Sequence, residues 1–216
     1  MNDVPFNRRH WLQTASVSAL ALGGVGTATA QTQGQPGMAP TQWTDTYGLV
    51  ASLPKDPDPL TNELDKYPRC RYCGMERAKF SHTRHLLAYE DDSVEGTCSI
   101  HCAAISLSLN MDRGPKAIYA GDAGAPGTIK PLALVDKMHY VLDPSKPGTM
   151  TKASKFAYAD RAAAEAAASS EAAAKAGAKI VDFNAALTGA YLGMAEDTIM
   201  LRKRRAEMRK KMATAG

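Results

Sequence analysis

The sequence predicts an α+β fold: two ββαβ units in tandem, followed by a long C-terminal helix. Three observations carry this. Two stretches, one after Tyr67 and one after Ile129, each read as a hairpin, a capped helix and a closing strand. Aromatic residues make up only 6% of a chain that is 44% hydrophobic, so the core leans on Ala, Leu, Val and Ile and favours small elements over one large sheet. Finally, apolar residues recur at helical spacing from Asn184 onward.

Residues 1–30 read as an address label. Asn7-Arg8-Arg9-His10-Trp11-Leu12-Gln13 is a twin-arginine pattern, followed by a weakly apolar run from Ala15 to Val25 and the small-residue stop Ala28-Thr29-Ala30. The run is rich in Gly, Ser and Thr and shorter than the ~18 apolar residues a membrane span needs. Cleavage after Ala30 is expected, giving an exported periplasmic product that begins at Gln31. No cysteine lies near that point to carry a lipid.

Residues 31–66 form a Gln-, Gly-, Pro- and Asp-rich linker or loosely wrapped arm, on which Trp43, Tyr47, Leu49 and Val50 could pin the chain to the folded part. The first ββαβ unit spans 67–128. His85 to Tyr89 and Val94 to Cys98 flank the turn Glu90-Asp91-Asp92-Ser93. Ser99 is placed to cap a helix through Asn110, and Lys116 to Ala120 closes the unit. The second unit spans 129–183, with strands Ala133 to Leu142 and Ser154 to Tyr158. An alanine-rich helix capped by Asp160 stops at Gly177, and Lys179 to Phe183 is the closing strand. The two halves share a pattern rather than residues.

The last segment, 184–216, reads as a basic amphipathic helix. Leu187, Ala190, Tyr191, Met194 and Leu201 form its apolar stripe, while Arg202, Lys203, Arg204, Arg205, Arg209, Lys210 and Lys211 crowd its end. Cations there complement the helix dipole, and a cluster this dense also fits a peripheral contact with anionic lipid or with an acidic partner. The overall charge of +4, with few aromatic residues beside the basic ones, gives no nucleic-acid surface.

The chemistry concentrates in Cys70-Arg71-Tyr72-Cys73-Gly74-Met75 and Cys98-Ser99-Ile100-His101-Cys102, which hold all four cysteines of the chain. Thiolate and thioether sulfur suit a soft, polarisable ion such as copper(I), whereas calcium and magnesium want oxygen. The two residues between Cys70 and Cys73 let both sulfurs turn toward one ion. Gly74 permits a close reversal and Met75 falls beside them. Cys98 and Cys102, four apart around a helix start, can converge, with His101 next to them. His82 is a reserve ligand, while His85 and His139 read as surface or strand residues. Two alternatives stay open: a structural zinc site of Cys70, Cys73, Cys98 and Cys102, and a disulfide framework, for which four cysteines allow three connectivities. A thiol–disulfide redox protein fits less well, because its Cys-x-x-Cys sits at a helix start after a strand. The sequence has no Ser/His/Asp arrangement at recognisable spacing, no phosphate-binding Gly loop and no carboxylate pair in a defined context, so no enzyme is expected.

The Cys70-x-x-Cys73-Gly74-Met75 signature, the hairpin running into a helix, and a second half carrying Pro147-Gly148-Thr149-Met150 resemble the NosL family, the copper accessory proteins of nitrous oxide reductase, from about Tyr67 to Phe183. The resemblance implies a pair of ββαβ units like a repeat in organomercurial lyase. It implies a denitrification protein, a periplasmic copper(I) chaperone that supplies the reductase or its membrane assembly complex. It also places Met150 where a family methionine faces the metal across the two units. Many members are lipoproteins, whereas this chain carries a twin-arginine signal. The Cys98 to Cys102 segment offers more ligands than most members need, which keeps zinc or a second ion in view.

Overall fold

The computed structural model describes residues 53–214. The expected signal (1–30) and the arm residues Trp43, Tyr47, Leu49 and Val50 lie outside the described residues. The described end of the arm is tied down: Leu53 is buried, the amide of Val94 donates to the Pro54 carbonyl (2.9 Å), and the amide of Asp56 donates to that of Asp92 (2.9 Å). A short helix, α1 (Glu63–Lys66), follows. Its buried Glu63 pairs with Arg77 (2.7 Å) and Arg84 (2.8 Å).

In the first unit, β1 (His85–Tyr89) and β2 (Val94–Thr97) form an antiparallel hairpin with His85 opposite Thr97. Helix α2 (Ile100–Leu109) follows, and β3 (Pro115–Gly121) returns along the other side of β1. Because β1 is central and covered on both faces, every one of its residues is buried, and its apolar run is nearly continuous instead of alternating. Each fully buried leucine there, Leu86 on one face and Leu87 on the other, contributes about 1.5–3 kcal/mol by leaving water. Ser99 occupies the N-cap position of α2, but its side chain makes no capping hydrogen bond.

The second unit departs from expectation at its start. Ala133 to Leu142 is not one strand: β4 (Leu132–Leu134) pairs with β3 and completes a sheet of order β2-β1-β3-β4. A 3-10 turn at Val135–Lys137 then leads to β5 (His139–Asp143). Val135 and Met138 are both buried; three apart, they would face opposite sides of a strand, and the turn puts them in one core. β5 pairs with β6 (Ser154–Tyr158) and β7 (Lys179–Val181) in a second antiparallel sheet of order β6-β5-β7.

The alanine-rich helix is also two pieces, α3 (Arg161–Ala168) and α4 (Glu171–Lys175). Between them, the hydroxyls of Ser169 and Ser170 donate to the carbonyls of Ala166 (3.3 Å) and Ala167 (3.2 Å), a local bond that competes with the helical ladder. Asp160 caps α3 by accepting from the Ala162 amide (3.1 Å), and Gly177, at φ 76°, ends the run after α4.

Helix α5 runs from Phe183 to Thr214, so Phe183 opens a helix rather than ending a strand. Ala186 and Ala190, four apart, are fully buried and let α5 come close to Ala103 and Ala104 of α2 in one core that also takes in Leu87, Tyr89, Ile118 and Tyr140. The Tyr191 hydroxyl fastens the pair by donating to the Ala104 carbonyl (2.8 Å). α5 then leaves this core: no residue from 198 to 214 is buried.

Candidate metal centre

The segment after α1 folds into a tight loop. The amide of Gly74 donates to the Cys70 carbonyl (2.8 Å), the amide of Cys70 to that of Met75 (2.9 Å), and the amide of Arg77 to that of Pro68 (2.8 Å). Gly74 sits at φ 74° with no atom within 4 Å of where a Cβ would be, so glycine serves the backbone conformation there and not a close approach. Tyr72 anchors the loop by donating to Oε2 of the buried Glu95 (2.8 Å), which also accepts from Ser106. Burial pushes the Glu95 carboxyl above its ordinary range, against those two bonds.

Cys98 ends the chain leaving β2, and Cys102 lies one helical turn on in α2. The four cysteine sulfurs all lie within 4.8 Å of one another. Cys73 is 3.4 Å from Cys98 and 4.0 Å from Cys102, and Cys98 is 3.8 Å from Cys102. All four are free thiols. Cys70, Cys98 and Cys102 are buried, and Cys73 is partly open. Their electrostatics divide two and two. Hydrogen bonds from Cys102, Cys73 and Cys98 hold Cys70 far below the ordinary thiol value, and chiefly that from Cys102 holds Cys73 at about 7. Cys102 is pushed up by its bonds to Cys70, Cys73 and Cys98 and by burial. Cys98 rises too, because its bonds to Cys70 and Cys73 and its burial outweigh the lowering by Cys102. Cys70 and Cys73 are thus the pair that gives up its protons more readily, and Cys98 and Cys102 the pair that keeps them.

Met75, Met150, Tyr72 and Phe80 pack against the three buried cysteines. Met150 comes from the loop between β5 and β6, so the two units meet at the sulfurs. It is held at φ 65°, a left-handed conformation that costs a residue with a Cβ roughly 1–2 kcal/mol.

The NosL family profile matches residues 61–186, more than half of the sequence. This chain belongs to the NosL family. The matched region starts just before α1 and ends within α5, so it contains all four cysteines, Met75 and Met150, and leaves the basic part of α5 outside. A crystal structure of the copper chaperone NosL from Shewanella denitrificans is similar at 21% identity and a TM-score of 0.41, over 54% of this chain and 87% of that one. No curated protein matches the chain.

Set against the expected ligands of this NosL-family chain, Cys70, Cys73, Cys98 and Cys102 come together, and Met75 and Met150 lie on them. His101 does not join the group. It is buried with Nδ1 3.5 Å from Oδ2 of Asp197 on α5, and burial pushes its imidazole down against the pull of that carboxylate. His82 packs edge-on to Phe156, with ring centres 5.3 Å apart. His85 is a buried strand residue whose ring nitrogens face the Thr83 carbonyl (2.9 Å) and the Tyr140 hydroxyl (3.1 Å); burial lowers it to about 4.

The sequence reading passed over Glu95, the Thr83–Thr149 hydroxyl pair (2.9 Å) and Asp197. Only Asp197 left a signal: a carboxylate between Met194 and Leu201 in the apolar stripe of α5.

Proposed function

We propose that this protein is a copper(I) carrier. Cys70, Cys73 and Met75 hold the ion, Met150, Cys98 and Cys102 complete its surroundings, and the recipient is nitrous oxide reductase or its membrane assembly complex in the periplasm. The observation that carries the reading is the gathering of four thiols with two methionines packed on them, since thioether sulfur is a donor copper(I) uses and zinc does not need. The twin-arginine pattern and the family's cargo support the location and the recipient. Cys73, the one partly open sulfur of the four, is where an incoming donor would first share the ion, and exchange of one ligand at a time keeps the barrier to transfer low.

Zinc is the second reading. Its ~2.3 Å bonds to sulfur span a tetrahedron with edges of roughly 3.8 Å. The sulfur separations of 3.4–4.0 Å among Cys73, Cys98 and Cys102 straddle that edge. Anaerobic loading with copper(I) and zinc in competition, followed by elemental analysis, separates the two. Copper is expected to occupy the reduced chain in the presence of equimolar zinc, and retention of zinc instead would end the carrier reading.

The distal part of α5 fits an anionic membrane surface as the site of delivery. Ile199, Met208 and Met212 are exposed in and beside the run of seven cations from Arg202 to Lys211, and among the described residues no helix is long and apolar enough to cross a membrane. With ~1 kcal/mol per cation near such a surface, co-sedimentation with phosphatidylglycerol vesicles should be strong. It should fade in salt and fail when Arg202, Arg205 and Arg209 become Gln. Equal binding to phosphatidylcholine would show that charge plays no part.

A further inference from the structure

Asp197 lies beyond the family-matched region, yet it reaches the surroundings of the sulfurs. It is 2% exposed, and its Oδ1 accepts the backbone N–H of Lys152 at 2.7 Å. Its Oδ2 has no hydrogen-bond partner and lies 3.5 Å from His101 Nδ1, which also has none. A buried carboxylate in the apolar stripe of a helix is costly to desolvate, and the α2–α5 contact would be served better by an apolar residue. Besides facing His101, the carboxylate holds a loop end two residues from Met150.

The left-handed backbone of Met150 persists only if its surroundings over-determine it. Within the loop, the Gly148 amide donates to the Thr151 carbonyl (3.1 Å) and the Thr151 hydroxyl to that of Ala153 (2.6 Å). Two side-chain tethers to other elements flank the methionine. On one side the Thr149 hydroxyl sits 2.9 Å from that of Thr83, which itself donates to the Cys98 carbonyl (2.8 Å). On the other side is Asp197, reinforced by the exposed Lys152–Glu196 pair (3.3 Å).

We infer that Asp197 is a positioning residue of the metal centre: by gripping the Lys152 amide, it keeps the loop in the strained conformation that lays Met150 on the thiols. The inference rests on the copper(I) reading and deepens it, because it gives the chain beyond the family region a part in cargo binding.

The test is a mutant cycle on the full, reduced chain, reading copper(I) affinity by chelator competition and cobalt(II) affinity in parallel. Asp197→Ala is expected to weaken copper(I) about ten-fold, the scale on which residues supporting a ligand act. Asp197→Asn, whose amide oxygen can accept the same bond, should stay near wild type. In a Met150→Leu background, Asp197→Ala should add nothing, and cobalt(II), which does not draw on the thioether, should be unmoved throughout. Asp197→Ser, too short to reach the amide, stands in if the alanine variant does not fold. Wild-type affinity in the alanine or serine variant, an equal loss in both backgrounds, or an asparagine variant as weak as the alanine one would each overturn the role. Failure of the carrier reading looks different: the wild-type chain itself would prefer zinc.

Discussion

Arg77→Met is expected to lower the unfolding free energy of the metal-free chain by ~3–5 kcal/mol, the usual penalty for breaking a buried ion pair by removing one partner. The Arg77 side chain is fully buried. Its guanidinium donates to the carbonyls of Tyr67 (2.7 Å), His85 (3.1 Å) and Thr97 (3.3 Å) and pairs with Glu63 at 2.7 Å. Methionine fills a similar volume but offers none of those donors, and each buried acceptor left without a partner costs about 1–3 kcal/mol. Arg84 still holds the other Glu63 oxygen, which keeps the total below the sum of the parts. The three carbonyls belong to the loop before Cys70, to β1 and to β2, so this one side chain seats the cysteine loop on the sheet. Gly96 makes room for it: a Cβ there would lie 2.7 Å from the guanidinium carbon. Urea unfolding of the reduced apo-protein measures the effect, and a loss under 1 kcal/mol would mean that water or a neighbour satisfies those carbonyls. Loading the variant with metal should recover part of the loss, because an ion that binds only the folded chain adds to its stability.

Local pattern made the first unit legible. β1, β2, α2 and β3 all fall within a residue or two of where turn residues and apolar runs put them, because each is specified by its own neighbours. The misses are places where a distant contact decides. Leu132–Leu134 leaves the second unit's pattern because β3 offers an unpaired edge, and the chain must then turn at Val135 before β5 can begin. Ser169 and Ser170 divide a helix that composition alone runs together.

The site shows the same contrast. Cys70, Cys73 and Met75 are close by covalent necessity, and Cys98 and Cys102 by their four-residue spacing across the start of α2, so each pair was readable by itself. The meeting of the two pairs was expected from their ligand chemistry, and the four sulfurs do come together; the contacts that seat the loop, Arg77 and the Tyr72–Glu95 bond, left no mark in the sequence. His101 was placed by its adjacency to Cys102, but neighbours on a helix point about 100° apart. Its ring therefore turns to α5 and Asp197, and the ligand expectation for it came from sequence distance alone.

Replacing the cysteines in pairs is expected to give the largest effect of all, and it divides the two metals. Cys70→Ser with Cys73→Ser should weaken copper(I) by more than about a thousand-fold, on the order of 4 kcal/mol, because both sulfurs proposed to hold the ion beside Met75 are lost. Cys98→Ser with Cys102→Ser should cost copper(I) no more than about ten-fold, since low-coordinate copper keeps Cys70, Cys73 and Met75 and serine hydroxyls can still donate to those sulfurs. Zinc behaves otherwise. It needs four good ligands, so each double variant removes half of its site, and its affinity should collapse equally in both. Anaerobic chelator competition with each metal reads out all four values. Equal, deep losses of copper in both doubles would mean that the four sulfurs act as one closed cage, and a closed cage leaves a recipient no open position from which to take the ion.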